Sequence, residues 1–520
     1  MSVTETLRTD SPPGPAPRRI GTHGRREARL DWLAIGLPTA LALGLCLYQL
    51  TTRSLWLDES ATVAIASQHG HAFGAALARD GGNMLGYYAL IHVLIGWFGS
   101  GTFVIRFPSA IFAGVTVACT GAFALRRFGR EVAGLAGVLA AVSLSLVYWG
   151  QDARGYAAMV ALVAASFLAF QALLEPDASW RSWLAYVLLT TAAVYTGLEA
   201  ALVIAAQVVA LSWRRERWRA VTSAVAVIAL CCVPLAVLAA ERGSGQLFWV
   251  PRPSFRVLHQ VLQTLTSSGL QPSFYTSTGS ALMIVVLVIL AAGVAMAGWR
   301  ARRSGSVALV ISWLLVPGIV AALESIVGQS IFQPRYLLVS LPAVWLLVAR
   351  TLLDPRLPRA AAAVAVAGVI TLQALQLAPA YGVSSENWRG ASSYVLAHSQ
   401  PDDCIAFYPL DNRQAFRYYL GSAAASAPRP ILPALPWRQV RPFVEDYATL
   451  SPTSVASLPG RCGRVWLVAS HEGRAGGPPA SAANYRRFTA LTGALGRLYP
   501  SSQTRSFAPL QVVTVTLYSR

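Results

Sequence analysis

From Trp32 to Leu377 the chain alternates long apolar runs with short polar breaks. Most of these runs approach the ~20 residues needed to cross a hydrocarbon core of roughly 30 Å. A segment in lipid must satisfy its own backbone polar groups, so such runs are helices. The pattern predicts about eleven crossing helices, at 32–50, 102–125, 131–148, 155–173, 182–196, 198–213, 219–240, 279–299, 306–324, 336–350 and 359–378. The apolar stretch 84–98 is short for a crossing and reads as a juxtamembrane or re-entrant helix.

Past residue 380 the pattern changes. Helical periods at Asn387–His398, Asn412–Leu420 and Tyr485–Leu498 alternate with strand-like runs at Cys404–Tyr408, Val465–Ala469 and Gln511–Tyr518. With turns rich in Gly, Pro and Ser, this predicts a soluble α/β module. Residues 1–31 are rich in Arg, Pro and Thr without an apolar period and read as a disordered tail. The run after them is long for a signal segment and no small-residue cleavage site follows it, so it is taken as the first anchor. The expected organisation is a tail over 1–31, a membrane domain over 32–379 with long loops at 51–101 and 241–278, and an α/β domain over 380–520.

Composition agrees: 55% of residues are hydrophobic and 12% charged, about half the roughly 25% charged share of a soluble domain. The net charge of +19 suggests nucleic acid until its placement is considered. The chain has no lysine, and many of its arginines sit in short loops: Arg126, Arg127 and Arg130; Arg214, Arg215, Arg217 and Arg219; Arg300, Arg302 and Arg303; Arg350, Arg356 and Arg359. Arginine in short loops marks the cytoplasmic face, so topology accounts for much of the charge and a nucleic-acid partner is set aside. With the N-terminus inside, the eleven spans put each of these loops inside and residues 380–520 outside. Cys46, Cys119, Cys231 and Cys232 lie in apolar spans as small core residues, whereas Cys404 and Cys462 lie in the polar module. An extracytoplasmic setting would allow a disulfide between that last pair.

The same parity gathers the unusual polar residues on the outer face: Asp58 and Glu59, Asp152 and Arg154, Glu199, Trp249 and Arg252, Arg335 and Tyr336. Ionisable groups at a membrane boundary are functional candidates. Arginine matches phosphate oxygens as a planar fork, and a carboxylate can take a proton from an attacking hydroxyl. Plainer roles compete for several of them. Arg106 can snorkel to the interface, Asp152 and Arg154 can form a local ion pair, Glu199 suits a helix start, and Tyr87, Tyr88 and Trp97 suit an aromatic belt.

The residues Leu55-Trp56-Leu57-Asp58-Glu59, Gly86-Tyr87-Tyr88-Ala89-Leu90-Ile91-His92, Arg106-Phe107-Pro108-Ser109-Ala110, Tyr148-Trp149-Gly150-Gln151-Asp152-Ala153-Arg154-Gly155-Tyr156 and Pro334-Arg335-Tyr336-Leu337-Leu338 resemble, in order and spacing, the GT-C superfamily of integral-membrane glycosyltransferases. The likeness is greatest to family 39 and its actinobacterial relatives of the polyprenyl-phosphate-sugar-dependent mannosyltransferase type, and it covers about residues 50–345. It implies a polytopic α-helical fold with juxtamembrane helices and a C-terminal extracytoplasmic α/β domain in a bacterial plasma membrane. It also implies inverting transfer of a sugar, mannose first and arabinofuranose next, from a polyprenyl-phosphate donor to a glycan, lipid or protein hydroxyl. On this resemblance Asp58 is the general base, Glu59 orients that base or the acceptor, and Asp152 is a second acid in the cleft. Arg154 and Arg335 are expected to meet the lipid phosphate, with Tyr336, Tyr88, Arg106, Glu199, Trp249 and Arg252 as further substrate contacts. No cofactor is implied beyond the lipid-linked donor, and the motifs require no metal, although an acidic cleft could hold a divalent ion. Asn83-Met84-Leu85-Gly86 replaces the Pro-Pro of many relatives and Gly197 replaces a histidine, which bears on the acceptor. The alternative is a transporter or flippase, which would place its ionisable groups near the bilayer midplane in two related halves.

Overall fold

The computed structural model describes residues 22–213, 215–243, 247, 249–270, 274–300, 305–443, 446–507 and 510–520. Among them, seven helices are long and apolar enough to cross a membrane: Glu27–Leu47, Thr102–Phe128, Tyr156–Leu173, Trp218–Arg242, Ser277–Met296, Gly305–Val327 and Arg359–Ala380. The expected span over 131–148 is broken, with Arg130–Ala141 and Leu144–Gly150 meeting at 60°. Ser143 causes the break locally: its side chain accepts the Leu146 N–H and so caps a new helix. The three remaining segments are the shorter helices Trp180–Thr196, Leu198–Ala210 and Tyr336–Leu352. Leu85–Phe98 is a separate 14-residue helix, as its length predicts.

The first helix starts at Thr22, ahead of the expected tail boundary at residue 31. The prolines at 12, 13, 15 and 17 lie behind that point, and the Arg, Glu and Ala that follow are good helix formers. Residues 1–21, Arg214, Arg302 and Arg303 lie outside the described residues.

Polar groups inside the bundle pair across helices, as an apolar surrounding demands. Ser166 meets Thr190 at 2.7 Å, Gln207 donates to Ser166 at 3.1 Å, and the Tyr186 hydroxyl donates to Gln207 at 2.8 Å. Trp313 stacks on Phe167 at 3.8 Å and donates its indole N–H to the Val339 carbonyl. One end of the bundle gathers the basic loops, where Arg127 pairs with Glu175, Arg130 with Asp31, and Arg217 bonds the Glu175 carbonyl. The opposite end carries Asp58, Arg154 and Arg335, together with the C-terminal domain.

The described part of the loop over 241–278 carries regular structure. It holds an amphipathic helix, Phe255–Leu265, capped by Ser254, and a two-stranded ribbon of β1 (Gly269–Leu270) and β2 (Phe274–Tyr275). The C-terminal domain is the expected α/β module, built on a five-stranded mixed sheet in the order β4 (Arg429–Leu432), β3 (Asp403–Tyr408), β5 (Arg464–Ala469), β7 (Val513–Ser519), β6 (Ser501–Phe507). β3 runs parallel to both neighbours, while β7 is antiparallel to β5 and to β6. β3 and β5 are almost wholly buried, so they read as continuous apolar runs rather than alternating ones. Cys404 of β3 is disulfide-bonded to Cys462, just ahead of β5.

This domain grips the loop that carries Asp58. The Ser54 N–H donates to Ser384, the Leu55 N–H to the Tyr419 hydroxyl and the Leu57 N–H to Glu386, at 2.9, 2.7 and 2.9 Å. Arg389 reaches the Thr51 and Thr52 carbonyls from the other side.

Candidate active site

Asp58 sits in the first turn of the helix Leu57–Ala66, where the positive end of the helix dipole favours a carboxylate. Its Oδ2 lies 3.2 Å from Arg335 Nη1 and 3.7 Å from Arg154 Nη2. Arg154 also donates to the Tyr88 hydroxyl at 2.9 Å. The Arg335 guanidinium lies 4.6 Å from the Trp249 ring centre and under 6 Å from those of Tyr156 and Tyr336. Both arginines are largely buried, and the Nε of each donates to no acceptor among the described residues. Two cations with spare donors beside one carboxylate form a site for an anion next to a base.

Sequence-distant segments meet here because two glycines let backbones approach. A Cβ at Gly155 would lie 2.7 Å from the Thr196 carbonyl oxygen, and one at Gly197 would lie 2.6 Å from the Met159 sulfur. The turn of Glu199 therefore packs against the segment of Arg154 and Tyr156.

These groups line a cavity of about 1210 Å³ between the bundle and the C-terminal domain. Of the residues expected at the site, Asp58, Tyr88, Arg154, Glu199, Trp249, Arg335 and Tyr336 line it. Four do not. Arg252 bonds the Ser325 and Ile326 carbonyls at the rim. Glu59, Asp152 and Arg106 are buried behind Asp58, at 1%, 3% and 2% exposure, so Asp152 and Arg106, expected in the cleft, do not line it, and Glu59 lies where it can only orient its neighbour.

Arg106 grips both Glu59 oxygens, at 2.7 and 2.6 Å, and donates to the carbonyls of Leu50, Arg53 and Ser54. Glu59 also accepts the Ala153 N–H at 2.9 Å. Asp152 accepts the Trp56 indole N–H at 2.9 Å. Burial alone would lift the Glu59 carboxyl, but the Arg106 charge and hydrogen bonds hold it below its ordinary range. Burial, reinforced by the Glu59 charge, pushes Asp152 well above the carboxylate range. Together with Arg106, Glu59 and Asp152 weld the loop 50–59 to the loop 151–155. Their short, polar sequence context gives the same signal as a catalytic cluster; only the long-range pairing separates the two.

Tyr148, Trp149 and Tyr156 stand in a motif that carries the resemblance but were not expected at the site, and neither Asp80 nor the residues that the C-terminal domain adds were singled out. Asp80 is buried, and burial raises its carboxyl to about 7 against the opposing pull of Arg154, Tyr88 and Arg242. Among the described residues no group of three or more His, Cys, Asp or Glu side chains is arranged to hold a metal ion.

A multi-pass helical bundle with a charged cavity at one end, closed by an α/β domain, defines the class to which the comparisons point. Residues 84–239 match the family model of dolichyl-phosphate-mannose-protein mannosyltransferases. No curated protein matches the sequence. The fold is similar to that of ArnT from Cupriavidus metallidurans bound to undecaprenyl phosphate, with a TM-score of 0.57, 16% identity, and coverage of 93% of this chain and 97% of that one. It is also similar to the archaeal oligosaccharyltransferase AglB from Archaeoglobus fulgidus in complex with an inhibitory peptide and a dolichol-phosphate, with a TM-score of 0.52, 11% identity, and coverage of 93% and 74%. The chain thus shares the fold of these two membrane proteins over nearly its whole length, and its residues 84–239 match the mannosyltransferase family model.

Proposed function

We propose that this protein transfers a sugar, with inversion, from a polyprenyl-phosphate donor to an acceptor hydroxyl. The observation that carries the reading is the placement of Asp58 Oδ2 against Arg335 and Arg154 in the cavity. The donor phosphate competes with Asp58 for the two guanidiniums, so donor binding frees the carboxylate. The acceptor oxygen then attacks the anomeric carbon while Asp58 takes its proton. The bond from that carbon to the phosphate oxygen breaks, and the charge left on the polyprenyl phosphate falls on Arg154 and Arg335. The bundle wall, with Leu198, Leu202, Ala205, Val320 and Ile331, supplies an apolar track for the prenyl chain. The reaction drawn in this way uses no metal and no cofactor besides the donor.

Mannose is the first sugar to test, on the match of residues 84–239 to a mannosyltransferase family, and arabinofuranose is the next. The acceptor belongs to the cell envelope. The basic loops at one end of the bundle support a cytoplasmic N-terminus and a site on the outer face of a bacterial plasma membrane. The test is transfer from labelled polyprenyl-phosphate mannose and arabinofuranose in membranes holding the wild type or Asp58→Asn. Label reaching an acceptor only with the wild type supports the reading. Equal transfer by both removes Asp58 as the base, and no transfer from any donor moves the weight to a transporter.

A further inference from the structure

The cavity has two unlike walls. The bundle side sets Asp58, Asp80, Glu199 and its two arginines among apolar and aromatic residues, whereas the C-terminal domain contributes the uncharged and charged polar groups of Gln414, Ser470, His471, Glu472, Arg474 and Asn484. Beside them Gly473, Gly476 and Gly477 expose peptide groups without side chains. Only glycine fits at Gly473, which has a φ of +91° and where a Cβ would lie 2.3 Å from the Ser481 carbonyl oxygen.

His471 stands at the centre of this wall with a left-handed backbone, φ 59°, uncommon for a residue with a side chain. Its Nε2 lies 3.4 Å from Glu386 Oε1, and its Nδ1 lies 2.9 Å from the Ser470 hydroxyl. Glu386 is wholly buried. Its other oxygen accepts the Leu57 N–H at 2.9 Å and the Trp388 indole N–H. A single buried carboxylate thus steers the imidazole and also holds the residue next to Asp58. Tyr447, whose hydroxyl lies 3.5 Å from the His471 carbonyl, adds an aromatic ring to the same wall.

We propose that this wall binds the acceptor, that the acceptor is a carbohydrate held through its hydroxyls, and that His471, positioned by Glu386, selects it. The inference rests on the reading that Asp58 works on an acceptor hydroxyl. Dense donors and acceptors beside an aromatic face suit a sugar ring. A lipid acceptor would need an apolar wall, and the one present lies on the donor side. A peptide added as a strand would need a free sheet edge, but neither edge strand, β4 or β6, lines the cavity.

The test uses the full-length protein in detergent and measures two ligands separately. Trisaccharides of mannose, arabinose and glucose are followed by saturation-transfer NMR, and undecaprenyl phosphate by thermal shift. The expected result is trisaccharide binding at least tenfold weaker in His471→Ala and intermediate in Glu386→Gln, with undecaprenyl phosphate bound as in the wild type. In turnover the acceptor KM rises while the donor KM holds. His471→Gln, which keeps a polar side chain, covers the case in which alanine disturbs the loop. Trisaccharide binding that is absent, or unchanged in both His471 variants, overturns the proposal. So does an equal loss of undecaprenyl phosphate. Failure of the wild type to bind undecaprenyl phosphate would instead sink the donor reading, while the trisaccharide arm still decides this one.

Discussion

Arg335 and Asp58 lie 277 positions apart and meet at 3.2 Å, with the guanidinium held over the Trp249 ring. In the proposed reaction Asp58 takes the proton and Arg335 receives the phosphate, so the pair would neutralise each other until the donor arrives. Arg335→Ala should therefore lower transfer by roughly 10²–10³-fold, as the loss of a charge-stabilising donor does. Arg335→Lys should recover only part of this, because an ammonium lacks the planar fork. Steady-state kinetics with both substrates varied is the check, and an unchanged kcat in Arg335→Ala would remove the arginine from the leaving-group role.

The pair behind them predicts a different phenotype. Glu59 and Arg106 are buried together, so removing one partner leaves an uncompensated charge costing about 3–5 kcal/mol. Glu59→Ala and Arg106→Ala should reduce the yield of folded protein and the Tm before any kinetic effect can be read. Glu59→Gln, which keeps acceptors for part of the Arg106 contacts, should be milder. A well-folded, inactive Glu59→Ala enzyme would return Glu59 to a direct role.

How far the sequence carried can be judged from these neighbours. Hydropathy and arginine placement located the helices because lipid permits few alternatives, and Asp58, Arg154 and Arg335 stood out as costly charges at a membrane boundary. Glu59, Asp152 and Arg106 stood out for the same reason, and the sequence could not separate a charge that faces a cavity from one clasped inside a hinge of loops. The break at Ser143 and the early start at Thr22 are decided by single capping and proline positions within otherwise smooth patterns. His471 and Glu386 escaped notice entirely, since a lone histidine and a lone glutamate in a soluble module gain meaning only when the fold brings them to Leu57.

Asp80 carries a pH prediction. Its carboxyl is raised from 3.8 to about 7, so the folded state favours the proton more than the unfolded state does. Its favourable contribution is complete below pH 3.8 and is lost as pH rises through about 7. Asp80→Asn should flatten the Tm profile across that window and raise the Tm at pH 8. A profile identical to the wild type would show that Asp80 titrates normally.

The disulfide predicts a local weakness on reduction. Cys404 and Cys462 close a loop across a separation of 58 residues, which corresponds to about 4 kcal/mol in the chain-entropy account. Replacing both with alanine should lower the melting temperature of the C-terminal domain and make it sensitive to proteases between residues 404 and 462. Melting that is unaffected by a reductant in the wild type would contradict this.

The contacts of Ser384, Glu386, Arg389 and Tyr419 with residues 51–57 also set an order of events during synthesis. The loop bearing Asp58 leaves the ribosome early, and the side chains that hold its N–H groups leave after every helix of the bundle. Until those last segments arrive, the nascent chain carries its acid and its arginines without the clamp that fixes their spacing. The spacing of these side chains is thus fixed only once residues 384–419 have emerged, and a chain interrupted before residue 380 would hold them without that clamp.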